Sequence, residues 1–210
     1  MKRFGIIGLE DKPRVRATLA LTLEKLKARF SGADIIMTAP LAGLVTEYQV
    51  SVAPTLEALV ESSDVVLSIG GDGSMLGAAR AIARGRSVTR LIGINVGKLG
   101  FLSEHPPEEL DALLDELHAN ALQEEERLML DALVTSESEV PARAIVETTD
   151  GPSVPSVVHS KPGELVALNE IVIDNYGSTR MLQLEVFVGD ALLGVIRADG
   201  IMVATPTGST

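Results

Sequence analysis

The chain of 210 residues contains no cysteine and no tryptophan, and only two tyrosines and four phenylalanines. Without cysteine there can be no disulfide framework, no thiolate metal site and no cysteine nucleophile, so any chemistry must use oxygen and nitrogen groups. Long apolar runs are missing as well. No stretch approaches the roughly 20 consecutive apolar residues of a membrane span. The apolar run after Lys2 and Arg3 is too short for a signal-peptide core and lacks a small-residue cleavage site. Basic residues are outnumbered, 18 against 29 acidic ones, and the formal net charge of −11 opposes contact with nucleic acid or anionic lipid. These deficits predict a soluble cytoplasmic protein that binds neither nucleic acid nor membrane. Apolar residues, at 46%, are plentiful enough to build the core of one large or two small domains.

Periodicity divides the chain. Phe4-Gly5-Ile6-Ile7-Gly8 reads as a strand, and Val15, Leu19, Leu23, Leu26 and Phe30 then recur at helical spacing. Further strands are expected at 33–37, 65–69 and 91–96, with a short helix at Leu56, Leu59 and Val60 and another opening at Gly73. Strands alternating with helices, the strands continuously apolar, predict an open parallel α/β domain over residues 1–105. Pro106-Pro107-Glu108-Glu109 opens a connecting helix over 106–121, with an apolar stripe at Leu110, Leu113, Leu114 and Leu117. Beyond it the period moves toward 2, in 128–134, 165–173, 182–188 and 201–204, so residues 122–210 are expected to be β-rich and sandwich-like. Gly189-Asp190-Ala191 reads as a hairpin turn, and the proline- and glycine-containing stretch 150–163 as a loop.

The turn Ile69-Gly70-Gly71-Asp72-Gly73-Ser74 joins a buried strand to a helix, the edge at which α/β sheets bind ligands. Glycines there permit positive φ and let backbone N–H groups approach an anion, and the helix N-terminus adds partial positive charge. Asp72 would repel a phosphate. It suits either a base beside one or a helix cap. The dinucleotide fingerprint of dehydrogenases does not fit, because Gly77 lies one residue too far along and residues 74–103 contain no acid to bind a ribose. Gly93 to Leu99 imitates a Walker loop with one residue too few and Leu99 where a hydroxyl should hold magnesium. The same acid-free span carries Arg80, Arg84, Arg86, Arg90 and Lys98, either a solvated helix face or phosphate contacts. His105, His118 and His159 share no metal-ligand spacing, and no protein-held metal is expected.

Four motifs occur in order: Gly70-Gly71-Asp72-Gly73; Asn95-Val96-Gly97-Lys98-Leu99-Gly100-Phe101-Leu102; Leu168-Asn169-Glu170; and Asp199-Gly200 with Thr205-Pro206-Thr207-Gly208-Ser209-Thr210. Together they resemble the NAD kinase family. The likeness runs from Phe4 to Thr210 and is weakest over 135–163. The first motif alone is shared with diacylglycerol and sphingosine kinases and with phosphofructokinases. Asn169-Glu170 and the closing run favour NAD kinase over a lipid kinase or a non-catalytic nucleotide-binding module.

The resemblance implies a transfer of the terminal phosphate of ATP, or of polyphosphate, to the 2′-hydroxyl of the adenosine ribose of NAD. Asp72 is then the general base, and Gly71 and Gly73 offer N–H groups to phosphates. Mg²⁺ enters with ATP. Asn169 and Glu170 are implied contacts of NAD, although residue type alone also allows a polar strand entry. Arg180 and Arg197 are expected near phosphate and Asp199 near the nicotinamide half, with Asp199-Gly200 equally readable as a turn. Thr207, Ser209 and Thr210 are further expected ligand contacts. Family members assemble as dimers or tetramers, and a homo-oligomer is expected.

Ser74 stands where the family usually has Thr, and Gly77 where some members carry a ligand-reaching side chain. The family pattern continues past Thr210 into further strands, so a β domain incomplete at its end is expected.

Overall fold

The computed structural model describes residues 2–9, 13–85, 87–97, 100–134, 143–146, 156–159, 163–175 and 180–209. Arg86, Lys98, Thr210 and much of 150–163 lie outside these. The chain forms two compact units, Met1–Glu126 and Arg127–Thr210.

The first unit is a five-stranded, wholly parallel sheet of β1 (Arg3–Gly8), β2 (Asp34–Thr38), β3 (Ser51–Ala53), β4 (Val65–Gly70) and β5 (Arg90–Asn95), in the order β3-β2-β1-β4-β5. The helices are α1 (Pro13–Arg29), the single turn α2 (Ala39–Ala42), α3 (Leu56–Glu61), α4 (Asp72–Arg84) and α5 (Leu110–Ala119). Side chains of a strand alternate between faces, and two cores follow from this. Phe4, Ile6, Ile35, Met37, Val65, Leu67 and Ile69 join Leu19, Leu23 and Leu26 of α1 and Leu113, Leu114 and Leu117 of α5. On the opposite face Ile36 and Val66 join Leu59 and Val60 of α3 and Ala81 of α4. Every residue of β4 is buried, as a central strand covered on both faces must be.

Local signals set the helix ends. The Thr55 hydroxyl accepts from the Ala58 N–H at 3.1 Å and caps α3. Asn120, at φ 52°, ends α5 in the left-handed conformation that Asn tolerates. Helix α5 packs on α1 through the apolar stripe, and Lys25 and Arg29 pair with Asp111 and Asp115 across the contact. The short edge strand β3 escapes periodicity analysis because three residues carry too little pattern.

The second unit has no helix among its described residues. A four-stranded antiparallel sheet runs in the order β13-β10-β7-β8, from β7 (Arg143–Val146), β8 (Ser156–His159), β10 (Glu170–Asp174) and β13 (Gly200–Ala204). Beside it are the pair β6 (Leu130–Val134) with β9 (Gly163–Ala167) and the hairpin β11 (Leu182–Val188) with β12 (Ala191–Ala198). Gly189, at φ 58°, makes the hairpin turn.

Two expectations need correction. Residues 156–159 are a strand, because Pro155 and Pro162 flank Val157 and Val158 without interrupting them. The run 165–173 is two strands, since Leu168 and Asn169 leave β9 and enter a different sheet at β10. Leu165, Ala167 and Ile171 are the buried core of this unit, packed by Leu130, Ala132 and Val134. The hairpin leaves Phe187, Val188, Leu192, Leu193 and Val195 exposed. No helix among the described residues is long and apolar enough to cross a membrane.

Candidate active site

In the first unit the glycine-rich turn lies at the C-terminal end of β4, next to the point where the sheet order reverses between β1 and β4. Ligands of open α/β sheets bind there. Gly71 is the N-cap of α4, extended at φ −116° and ψ −164° and with no side chain to cap, so Asp72 is the first helical residue and does not cap the helix. None of Gly70, Gly71 and Gly73 uses the positive φ that glycine permits. Their smallness serves close approach. A Cβ at Gly70 would collide with the Ser74 side chain, whereas one at Gly73 would meet nothing within 4 Å. The space over Gly73 is therefore open, beside helix amides that have no intrahelical acceptor.

Asp72 is only 6% exposed. Its Oδ2 accepts from the Phe101 N–H at 2.8 Å, and its Oδ1 accepts from the N–H groups of Leu102 at 3.1 Å and Ser103 at 3.2 Å. Gly100 permits this, because a Cβ there would overlap the Asp72 carboxylate. Asn95, at the end of β5, holds the same segment. Its Oδ1 accepts from the Gly97 N–H at 2.9 Å and its Nδ2 donates to the Ser103 carbonyl at 3.2 Å. Periodicity and spacing had no means of finding the contacts of Asp72, whose partners lie about 30 positions along the chain in a separate motif.

The basic stretch divides in the structure. Arg90 pairs with Glu124 at 2.6 Å. Arg80 is half-buried on α4, its Nε donating to the Leu76 carbonyl at 3.3 Å. Burial first, and Arg84 second, lower the pKa of its guanidinium. His118 packs edge-on against Phe30, with ring centroids 5.1 Å apart, and His105 lies 3.8 Å from Glu109. The His159 side chain lies outside the described residues. Among the described residues no group of three or more His, Asp or Glu side chains could hold a metal ion.

In the second unit most of the expected contacts lie near the two ends of the β10–β13 ladder, Arg197 on β12 excepted. At one end Glu170 faces Ala204, and the chain leaving β13 folds back on Asn169. The Thr205 N–H donates to the Asn169 carbonyl at 2.7 Å, and the Thr205 hydroxyl donates to the Leu168 carbonyl. The Gly208 N–H donates to Thr205 Oγ1 at 3.1 Å, and Thr207 Oγ1 lies 3.4 Å from Arg127 Nη1. Ser209 donates its hydroxyl to the Pro206 carbonyl at 3.1 Å. Asn169 Oδ1 is buried and has no hydrogen-bond partner among the described residues.

At the other end, roughly 20 Å away along the extended strand, Asp199 is the single residue between β12 and β13. Asn175, which sequence reasoning missed, donates its backbone N–H to the Asp199 carbonyl at 2.9 Å and its Nδ2 to Asp199 Oδ1 at 3.1 Å. Arg180 is exposed, and its carbonyl lies 3.5 Å from Asn175 Nδ2. Arg197 is exposed on β12 opposite Gln183. Thr210 lies outside the described residues.

Comparison with known proteins adds a family to this geometry. The sequence model of the ATP-NAD kinase N-terminal domain matches residues 31–121, and that of the ATP-NAD kinase C-terminal domain matches residues 168–210. The NAD kinase of Marinomonas sp. (strain MWYL1) is 34% identical over 211 residues, covering 100% of this chain and 62% of its own length. That of Moorella thermoacetica is 35% identical over 210 residues, covering 100% and 58%. The chain thus spans about three fifths of the length of these relatives. Among solved structures, yeast NADH kinase complexed with NADH superposes with a TM-score of 0.76 at 18% identity, covering 100% of this chain and 59% of that one. An NAD kinase from Archaeoglobus fulgidus in complex with ATP gives 0.57 at 20% identity, covering 99% and 62%. At these identities the likeness speaks for the fold alone.

Proposed function

From the premise that the chain belongs to the NAD kinase family, we propose that it carries the phosphoryl-transfer site of a kinase acting on the 2′-hydroxyl of the adenosine ribose of NAD, with ATP or polyphosphate as donor. The observation that most supports NAD as acceptor is the buried Oδ1 of Asn169, which has no partner among the described residues. A buried acceptor without a donor is costly, and an adenine amino group is a donor of the right kind. Glu170, next in the chain, accepts from ribose hydroxyls. A dinucleotide has two ends, and the β10–β13 ladder offers polar groups at two ends. Asp199 serves the nicotinamide half, Arg180 and Arg197 the phosphates, and Thr207, Ser209 and Thr210 add hydroxyls beside Asn169.

In the first unit Asp72 takes the proton of the 2′-hydroxyl while that oxygen attacks the γ-phosphorus, the bond from phosphorus to the ADP oxygen breaks and ADP leaves. The N–H groups of Gly71 and Gly73 lie at the helix N-terminus, where negative charge is stabilised. Mg²⁺, carried in with ATP, offsets charge on the transferred group. Most of the rate then comes from positioning and electrostatics. We further propose that the protein works in the cytoplasm as a homo-oligomer, a dimer or tetramer. The apolar surface of the β11–β12 hairpin supports assembly, because exposed apolar patches of this kind mark contacts.

Incubation of the full chain with NAD, Mg²⁺ and ATP, followed by an NADP-specific dehydrogenase, tests the reading. NADP is expected, and its absence overturns the proposal. Asp72→Asn is expected to lose about 100- to 10,000-fold in rate, and undiminished activity would remove Asp72 from the role of base.

A further inference from the structure

We propose that Asn95 is a positioning residue for Asp72, acting through the segment Gly100–Ser103; this rests on the reading of Asp72 as the base. A carboxylate has about four acceptor sites. Three of those on Asp72 are taken by the N–H groups of Phe101, Leu102 and Ser103, two on Oδ1 and one on Oδ2. Among the described residues nothing takes the fourth, on Oδ2, which is left for a hydroxyl proton. The direction of that last site is therefore set by the three amides, and the amides are held from the other side by Asn95.

The Ser103 peptide is the link. Its N–H donates to Asp72 Oδ1 at 3.2 Å while its carbonyl accepts from Asn95 Nδ2 at 3.2 Å. Asn95 accepts from the Gly97 N–H at 2.9 Å with its other amide atom, and its own N–H donates to the His105 carbonyl at 2.8 Å. One side-chain amide thus ties the chain as it leaves β5 to the chain as it returns, at a position 8% exposed and opposite Gly70 in the β4–β5 ladder. Only a side chain that donates and accepts from one rigid group can do both. Aspartate has the same shape and keeps the Gly97 contact, but it has no donor for the Ser103 carbonyl and would repel it. Phe101, a residue 85% exposed, contributes its N–H to the network while its side chain gives the segment little packing. At Phe101, therefore, the amide is held by its hydrogen bond and not by side-chain packing, whereas Ser103 is fully buried.

The test compares Asn95→Asp with the wild-type full chain, with Asn95→Ala as the second variant should the charge prevent folding. In the wild type the amides of Phe101, Leu102 and Ser103 are expected to exchange slowly with deuterium, and about tenfold faster in the variants, because exchange reports local opening. In NADP formation kcat is expected to fall by about 10- to 100-fold, the cost of a misplaced reacting group, with KM for NAD and for ATP within about threefold of wild type, since both atoms of the Asn95 side-chain amide are engaged within the protein. Rapid exchange of the three amides in the wild type, an unchanged kcat in the variants, or a loss confined to KM would overturn the inference while leaving the kinase reading intact. Absence of NADP from the wild type would overturn both.

Discussion

Gly208 lies so close to Asn169 that a Cβ added to it would sit 2.5 Å from the Asn169 carbonyl carbon and 2.7 Å from its Cα. The obstacle is backbone, which cannot swing aside as the end of a side chain can. Gly208→Ala should therefore push the Thr205–Ser209 turn off β10, costing about 1 to 3 kcal/mol of stability as overpacking does, and should weaken NAD binding as well. Urea unfolding and calorimetric titration with NAD measure the two effects. A variant with wild-type stability would show that the turn can move freely.

Asn169→Ala should separate stability from binding. It deletes a buried acceptor that has no hydrogen-bond partner among the described residues, so unfolding free energy should stay within about 1 kcal/mol of wild type. The affinity for NAD should fall roughly five- to tenfold, the value of one hydrogen bond. Equal losses in both quantities would mean that Asn169 is structural.

The pairing of α1 with α5 should make stability depend on acid pH. The hydrogen bond from Lys25, followed by that from Arg29, lowers the pKa of the Asp111 carboxyl below its ordinary value. For a carboxyl whose folded pKa is depressed, the contribution is complete above the unfolded value of about 3.9 and is lost as pH falls through the lower, folded one. Asp111→Asn should therefore be less stable than wild type at neutral pH, with the difference shrinking as pH falls below about 4 and in high salt, as an exposed pair requires. Thermal unfolding across pH 2 to 7 decides this. A difference that persists in strong acid would point to packing instead.

Gly5→Ala tests the other face of the parallel sheet, the one covered by α3. The added methyl would lie 2.5 Å from both Leu59 Cδ2 and Ser63 Oγ, and 3.1 Å from Val66 Cγ2, where β1 meets α3 and β4. A loss of about 1 to 3 kcal/mol is expected. Denaturant midpoints measure it, and an unchanged midpoint would mean that α3 yields at no cost.

The parallel sheet was legible because its strands are apolar on both faces and its helices carry stripes of period 3.6, as in Leu19, Leu23 and Leu26. The turn at Gly189 was legible from its residue types. Strand β3 was not, being three residues at an edge, and β8 was obscured by flanking prolines whose position outside the strand composition does not reveal. At the site, residue identity and order pointed to Asp72, Asn169 and Glu170, and to the family. They did not show what Asp72 holds, nor Asn175 beside Asp199, nor the reason for Gly100.

For the glycine-rich turn, the sequence alone determined a strand-to-helix edge fit for an anion, with an aspartate that could be a base or a cap. Tertiary structure decided between these descriptions, placing Gly71 at the cap and binding Asp72 to three amides some 30 residues away. The physical reason is range. Periodicity and capping are local and are written in neighbouring residues, whereas the partners of a buried carboxylate are chosen by the fold that brings distant backbone to it.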